Sequence, residues 1–256
     1  MKILVATPAY DQTVTVAYVQ AILKTTKELL GIVELVPMFI TTAVIEEARN
    51  IFASRVLEDT SFTHLLFVDA DMGFGPNLVR RMLDFDKDVV GCLYPRRTID
   101  LDRFHTISRQ VADPTSARMI AQNYASGALV RSDLGDGRTG YVVTRGFVQA
   151  RQVGMGITLI KRSALERMRQ AYPQLAAPAG QRYKSLGVGA EVFQAFASMP
   201  DETGIYISED LAFCERWQRI GGEIWVCADE LITHVGRMDF KGRFVDRLAF
   251  ESTPKP

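Results

Sequence analysis

His64-Leu65-Leu66-Phe67-Val68-Asp69-Ala70-Asp71 is the stretch that decides the fold. Four consecutive large apolar residues, with no polar residue alternating between them, predict a strand buried on both faces. Such strands belong to parallel sheets covered by helices on either side. The run then stops on two aspartates, at the end of the strand where open α/β sheets place their ligands.

The sequence on either side repeats the alternation. Ile3-Leu4-Val5-Ala6 predicts a first buried strand, and residues 14–30 a helix with Tyr18, Ala21, Ile22 and Leu29 on one face and Gly31 at its end. Residues 32–40 predict a second strand, where Pro37 requires an edge or a bulge. Residues 43–57 predict a helix through Ile51 and Val56. After Asp71, Gly75-Pro76 opens another helix with Pro76 at its first position and Leu78, Met82 and Phe85 inward. Residues 88–94 and 141–150 read as strands. Gly154-Met155-Gly156-Ile157-Thr158-Leu159-Ile160 precedes a helix capped by Ser163, and Pro173 to Gly189 reads as a loop rich in Gly and Pro. Ser208 caps a helix that ends at Gly221-Gly222, residues 223–228 form a short strand, and His234 follows it. The fold class is therefore α/β, with a mostly parallel twisted sheet and helices on both faces. One domain spans 1–256. Residues 98–140, rich in polar residues and turns, read as an excursion from the sheet that either shapes a specificity pocket or lid or is a solvated insertion. Residues 236–256 alternate cations with aromatics and read as a flexible basic tail.

Composition narrows the function. With 256 residues, 47% hydrophobic and 23% charged, the chain has a globular make-up. Thirty Lys+Arg balance thirty Asp+Glu, which argues against nucleic-acid partners but not against a local cluster of cations over one phosphate ligand. Cys92, Cys214 and Cys227 lack zinc-site spacing and sit in apolar runs, so they read as buried free thiols. No apolar run is long enough for a signal peptide or a transmembrane segment. The expectation is a cytoplasmic protein, soluble or peripheral to a membrane.

Four groups carry candidate chemistry. Asp69 and Asp71 fall on one side of an extended strand, where two carboxylates raise each other's pKa unless a cation sits between them. A hard divalent cation held there would bridge ligand phosphates. Ser208-Glu209-Asp210-Leu211 serves as a helix N-cap with acids suited to the dipole, and it also offers a carboxylate general base. His234 offers a neutral imidazole as a third metal ligand. Arg96, Arg97 and the tail cations Arg237, Lys241, Arg243 and Arg247 could close over a diphosphate, or lie on a solvated face.

Taken in order, Thr7-Pro8-Ala9-Tyr10-Asp11, Ala48-Arg49-Asn50, His64 to Met72, Gly154 to Ile160, Ser208 to Cys214 and the late His234 resemble a GT-A-fold glycosyltransferase, closest to glycosyltransferase family 2. The resemblance covers nearly the whole chain and is weakest over 98–140. It implies a hexosyltransferase-type enzyme with a nucleoside-diphosphate sugar donor, UDP or GDP type, and Mn²⁺ or Mg²⁺. The acceptor hydroxyl would belong to an unidentified glycan, lipid-linked molecule or protein. On this sequence Thr7, Pro8, Ala9, Tyr10 and Asp11 would line the nucleotide pocket, and Arg49 would reach the nucleotide or its phosphates. Asp69, Ala70 and Asp71 would meet the donor and metal, with His234 completing the metal shell. Gly154, Met155 and Gly156 would form the floor under donor sugar and acceptor. Asp210, with Glu209 beside it, would act as base in an inverting transfer.

The chain departs from the family in two places. Where the family carries Asp-Asp-Gly-Ser, this sequence reads Phe39-Ile40-Thr41-Thr42-Ala43, which leaves the nucleotide base open. His234-Val235-Gly236 with Lys241 resembles, at altered spacing, the His-x-x-Gly-x-x-Lys of retaining enzymes, so stereochemistry is open and Lys241 joins the donor-contacting candidates. Three rivals stand beside this reading. A haloacid-dehalogenase-like phosphatase would use Asp69 as nucleophile, but its D-x-D closes the first strand, not a later one. A sugar nucleotidyltransferase expects a Gly-rich loop after the first strand, absent at 7–12. A non-catalytic nucleotide-sugar-binding module is the third.

Overall fold

The computed structural model describes residues 1–125, 129–133, 135, 137–236 and 239–252, with only the backbone of 239–240. Arg237 and Asp136 lie outside the described residues. The first half runs β1 (Lys2–Pro8), α1 (Val16–Glu28), β2 (Glu34–Ile40), α2 (Ile45–Glu58), β3 (His64–Val68), β4 (Met72–Gly73), α3 (Leu78–Phe85), β5 (Val89–Cys92) and β6 (Pro95–Ile99). The insertion holds α4 (Leu101–Ser108), α5 (Pro114–Ala121), β7 (Gln122–Tyr124), β8 (Ser132–Asp133) and β9 (Thr139–Gly140). Then follow β10 (Val143–Thr144), β11 (Phe147–Ala150), β12 (Ile157–Lys161), α6 (Arg162–Ala171), a short 3₁₀ turn, β13 (Ala176–Pro178), α7 (Gln181–Ser185) and β14 (Glu191–Phe193). The chain ends through β15 (Met199–Pro200), β16 (Tyr206–Ile207), α8 (Glu209–Arg219), β17 (Ile224–Cys227), β18 (Ile232–Val235), β19 (Asp239–Gly242) and α9 (Phe244–Ser252).

Eight strands form the central sheet in the order β10-β11-β17-β5-β12-β3-β1-β2. β3, β1 and β2 pair in parallel, as do β5 and β17, while β12 runs against both β3 and β5. β11 runs against β17 and β10. Six of the eight strands thus share one direction, as the continuous apolar runs imply, and β11 and β12 oppose it. β2 is the edge strand, where Pro37 costs no ladder bond on its open side.

Alternate residues of each central strand feed two cores. Ile3, Val5, Leu66 and Val68 pack with α1 and α3, while Leu4, Ala6, Leu65 and Phe67 pack with α2, α6 and α8. α2 also holds a non-local stretch of backbone. Glu46, Asn50, Ser54 and Glu58, spaced four apart on one helix face, accept from the backbone N–H groups of Ser198, Phe196, Phe193 and Gly189 at 2.8–3.0 Å. Phe196 is thereby fixed between Phe67 of β3 (5.3 Å, edge-on) and Phe213 of α8 (4.6 Å, stacked). This wedge positions the N-terminus of α8.

Several local expectations change. Residues 141–150 are not one strand but the hairpin β10–β11, turned at Arg145 and Gly146, both with positive φ. Pro76 precedes the helix rather than opening it, because Asn77 is the N-cap. Ser163 lies inside the first turn of α6, whose cap is Lys161. The loop after Pro173 contains the β13–β14 pair and α7. The tail after Gly236, read as flexible, forms β19 and α9, with Phe244 and Leu248 buried. α9 packs on the insertion: Phe250 joins Ile107, Ala117, Ile120 and Ala121 in a satellite core, and Phe244 meets Tyr124 edge-on at 5.0 Å. All three cysteines are buried and free. No helix among the described residues is long and apolar enough to cross a membrane.

Candidate functional site

β3 delivers its two aspartates into a turn. Met72 N–H donates to the Asp69 carbonyl at 3.1 Å, so extended geometry ends at Val68 and the side-chain alternation with it. The turn is pinned from three sides. Asp69 N–H donates to the Gly156 carbonyl (2.9 Å), the Ala70 carbonyl accepts from Thr15 N–H (2.9 Å), and the Asp71 carbonyl accepts from Val235 N–H (2.9 Å). The two carboxylates consequently take different partners.

Asp69 faces Arg49, whose Nη2 lies 3.4 Å from Oδ1. Arg49 is buried in α2, with Nε 3.2 Å from Glu209 Oε1, Nη1 3.5 Å from the Met155 carbonyl and its guanidinium over the Phe67 ring. Burial raises the Asp69 carboxyl above its ordinary range, and Asp71 adds to this against the opposing pull of Arg49. Burial also works against the Arg49 charge, but the Asp69 and Glu209 carboxylates outweigh it and hold the guanidinium firmly protonated.

Asp71 faces Arg97 and His234. Its Oδ2 lies 3.0 Å from Arg97 Nη1 and 3.4 Å from His234 Nε2. With Pro95 O 2.8 Å away, the His234 Nδ1–H donates to that carbonyl. In this tautomer Nε2 presents a lone pair toward the Asp71 carboxylate, an arrangement that a cation between them would satisfy. Among the described residues no three His, Cys, Asp or Glu side chains converge as a metal-binding group. The expected trio is thus divided: Asp71 and His234 stand together, and Asp69 stands with Arg49. The oxygen and imidazole donors of the pair fit a divalent cation whose remaining ligands are substrate oxygens and water.

A cleft of about 440 Å³ opens beside this turn, lined by Pro8, Tyr10, Asp11, Asp69, Ala70 and Asp71 of the expected residues, and also by Thr13, Thr15, Thr42, Ala43, Ile45, Arg97, Val235 and Gly236. Thr7 and Ala9 are buried instead, Thr7 sharing a hydrogen bond with Tyr18 Oη at 2.7 Å. Close to residues 39–43, which lack the family's acidic segment, stands Glu47, but Thr42 donates to it and Arg182 holds it below the usual carboxylate range. Glu209 is committed to Arg49. Asp210 accepts from its neighbours Ser208 Oγ and Leu211 N–H and is partly open to solvent. Neither acid lines the cleft. Lys241 pairs with Thr233 across β18–β19, which puts it on the opposite face of that ribbon from His234. Arg243 and Arg247 are held by Asp246 and Glu251 on α9, away from the cleft.

Tyr94 was missing from the sequence reading. A Cβ on Gly154 would clash with Tyr94 Oη, and one on Gly156 would lie 2.7 Å from Met72 Cε and 2.8 Å from Tyr94 Cζ. These glycines therefore leave room for the Tyr94 phenol. Gly156 N–H donates to Tyr94 Oη at 3.3 Å, and the ring stands edge-on to His234 at 5.6 Å. Burial pushes the phenol well above its usual pKa, with Asp69 adding to the rise and Asp210 contributing less. Three of residues 94–97 thus reach the site: Tyr94 the glycine floor, Pro95 the histidine, and Arg97 the Asp71 carboxylate. The only local signal was their position at the end of a buried strand.

No family model matches the chain, and no curated protein matches it. Among solved structures it is similar to A197 from STIV, at 17% identity over 92% of this chain and 86% of that one, with a TM-score of 0.47. It is also similar to a Bacillus anthracis protein assigned as a glucose-1-phosphate thymidylyltransferase, in complex with sucrose, at 10% identity over 86% of this chain and 92% of that one, with a TM-score of 0.29. Likeness at these values carries no argument about activity.

Proposed function

We propose that this chain is a glycosyltransferase that moves a sugar from a nucleoside-diphosphate sugar, UDP or GDP type, to an acceptor hydroxyl with Mn²⁺ or Mg²⁺. The observation that carries the reading is the pairing of two acids with two arginines and a histidine in the turn after β3, beside one open cleft. Asp71 and His234 would hold the cation. Bound there, it would offset charge on the departing diphosphate. Arg97, half-exposed and on the cleft wall, leaves Asp71 for a phosphate oxygen. Buried Arg49 fixes the Asp69 carboxylate toward the donor. Asp210, the acid of its pair not tied to Arg49, takes the proton from the acceptor hydroxyl.

A thermal-shift screen of nucleoside diphosphates and their sugars, with and without Mn²⁺, tests this, because a ligand of the native state raises apparent stability by mass action. One donor family should give a selective, Mn²⁺-dependent rise that Asp71→Ala removes. Asp210→Asn should keep the rise and slow transfer by ~10²–10⁴-fold. A full Mn²⁺-dependent rise in Asp71→Ala would remove the metal assignment, and unchanged turnover in Asp210→Asn would remove the base.

A further inference from the structure

α1 has two apolar faces. Tyr18, Ala21 and Thr25 are buried against the sheet. At about 100° per residue, Val16, Val19 and Leu23 lie within roughly 60° of one another and roughly 150° from the centre of that buried face. They point outward, 73%, 40% and 65% exposed. Past the helix the row continues through Leu30, 78% exposed, and Ile32. Half-exposed Phe39 of β2 stands beside it, its ring against Tyr18 at 6.2 Å. At the other end the row reaches the cleft, where exposed Val14 lies between the wall residues Thr13 and Thr15. A surface helix needs one apolar stripe to join its core; the second stripe is explained only by something outside the fold.

Charge identifies the occupant. Residues 16–27 contain no acid, and their only charges, Lys24 and Lys27, are exposed along one flank of the outward stripe. The next acid, Glu28, is paired with Arg80 at 3.2 Å. An apolar stripe with a basic flank is built to lie in the interface of an anionic bilayer. A second copy joined edge to edge at β2 is opposed by Pro37 in mid-strand and by exposed Glu34.

We propose that the outward face of α1 docks this protein on an anionic lipid surface, with Val16, Val19, Leu23 and Leu30 at the headgroup–acyl boundary and Lys24 and Lys27 on the headgroups. The docked orientation sets the cleft mouth beside the lipid headgroups. None of these residues belongs to the transfer machinery, so the surface stands or falls separately from the proposed reaction. Flotation of the full chain with vesicles of phosphatidylcholine, alone or with phosphatidylglycerol, tests it. Binding should require phosphatidylglycerol, weaken with added salt, fall several-fold in Lys24→Glu/Lys27→Glu, and be lost in Leu23→Glu with an unchanged circular dichroism spectrum. Absence of binding to both vesicle types overturns the proposal, as does binding that Leu23→Glu leaves intact. A dimer seen by light scattering and broken by Leu23→Glu, without vesicle binding, would give the surface to a second copy and overturn it equally.

Discussion

At the residue scale, the glycine floor makes a separable prediction. The atom nearest a Cβ on Gly154 is Tyr94 Oη, and the next is Cζ at 3.2 Å. Gly154→Ala should therefore displace the phenol and cost about 1–3 kcal/mol as overpacking. Tyr94→Phe removes the clashing atom, so the double variant should recover most of that loss in a thermodynamic cycle. Gly156→Ala should not be rescued, because Met72 Cε and Cζ itself stand in its way. Additive losses at 154 and 94 would show that the phenol does not fill the glycine gap. His64 gives a pH prediction. Burial, then Lys161, pushes its imidazole down to about 4 from 6.5. Between those values the unfolded chain binds a proton that the folded chain refuses. Stability is thus full above about pH 6.5 and falls toward pH 4, by up to about 3 kcal/mol. Urea midpoints at about pH 7.5 and 5 should differ more for the native chain than for His64→Leu; an equal difference would place the effect elsewhere.

At the element scale, α2 shows where sequence reading succeeds and where it stops. Ile51 and Val56 were enough to place the helix, because 3.6-residue periodicity is local. The ladder from Glu46 to Glu58 was not legible, because its partners lie some 130–150 residues away along the chain. The same limit explains Arg49: its place in the Ala48-Arg49-Asn50 motif suggested phosphate contact, but only folding reveals Asp69 and Glu209 at its ends. The shared side of Asp69 and Asp71 was drawn from strand alternation, which stops where the chain turns after Val68. Asn50→Ala should leave the Phe196 N–H buried without an acceptor and cost about 1–3 kcal/mol. Arg55, partly exposed, forms an i,i+3 ion pair with Glu58 at 3.3 Å, but its loss leaves all four acceptors in place, so Arg55→Ala should stay within about 0.5 kcal/mol. Chemical denaturation of both variants checks the contrast, and equal effects would mean that the ladder contributes nothing beyond its helix.

At the scale of the molecule, the balanced charge total conceals a polarised centre, with Asp69, Asp71, Glu209 and Asp210 set among Arg49, Arg97 and His234. The order of motifs along the chain anticipated that these groups meet, yet gave no sign that the insertion and the tail would support them together. β6 carries Arg97 to Asp71 and pairs with β7 of the insertion. Against the insertion lies α9: Arg247 Nη1 donates to the Gln122 carbonyl at 3.1 Å, and Arg103 pairs with Glu251 at 3.1 Å. Loosening α9 should therefore reach the site through β7 and β6. Phe250→Asp places a carboxylate against the satellite core of Ile107, Ala117, Ile120 and Ala121. Amide hydrogen exchange should accelerate in α4, α5 and β7 while β1 and β3 stay protected, since the satellite core is separate from the two main ones. Donor-induced thermal shifts should shrink as Arg97 loses its fixed place. If exchange in α4 and α5 stayed at the native rate, α9 would be a bystander, and the support of Arg97 would have to come from β18 and β19.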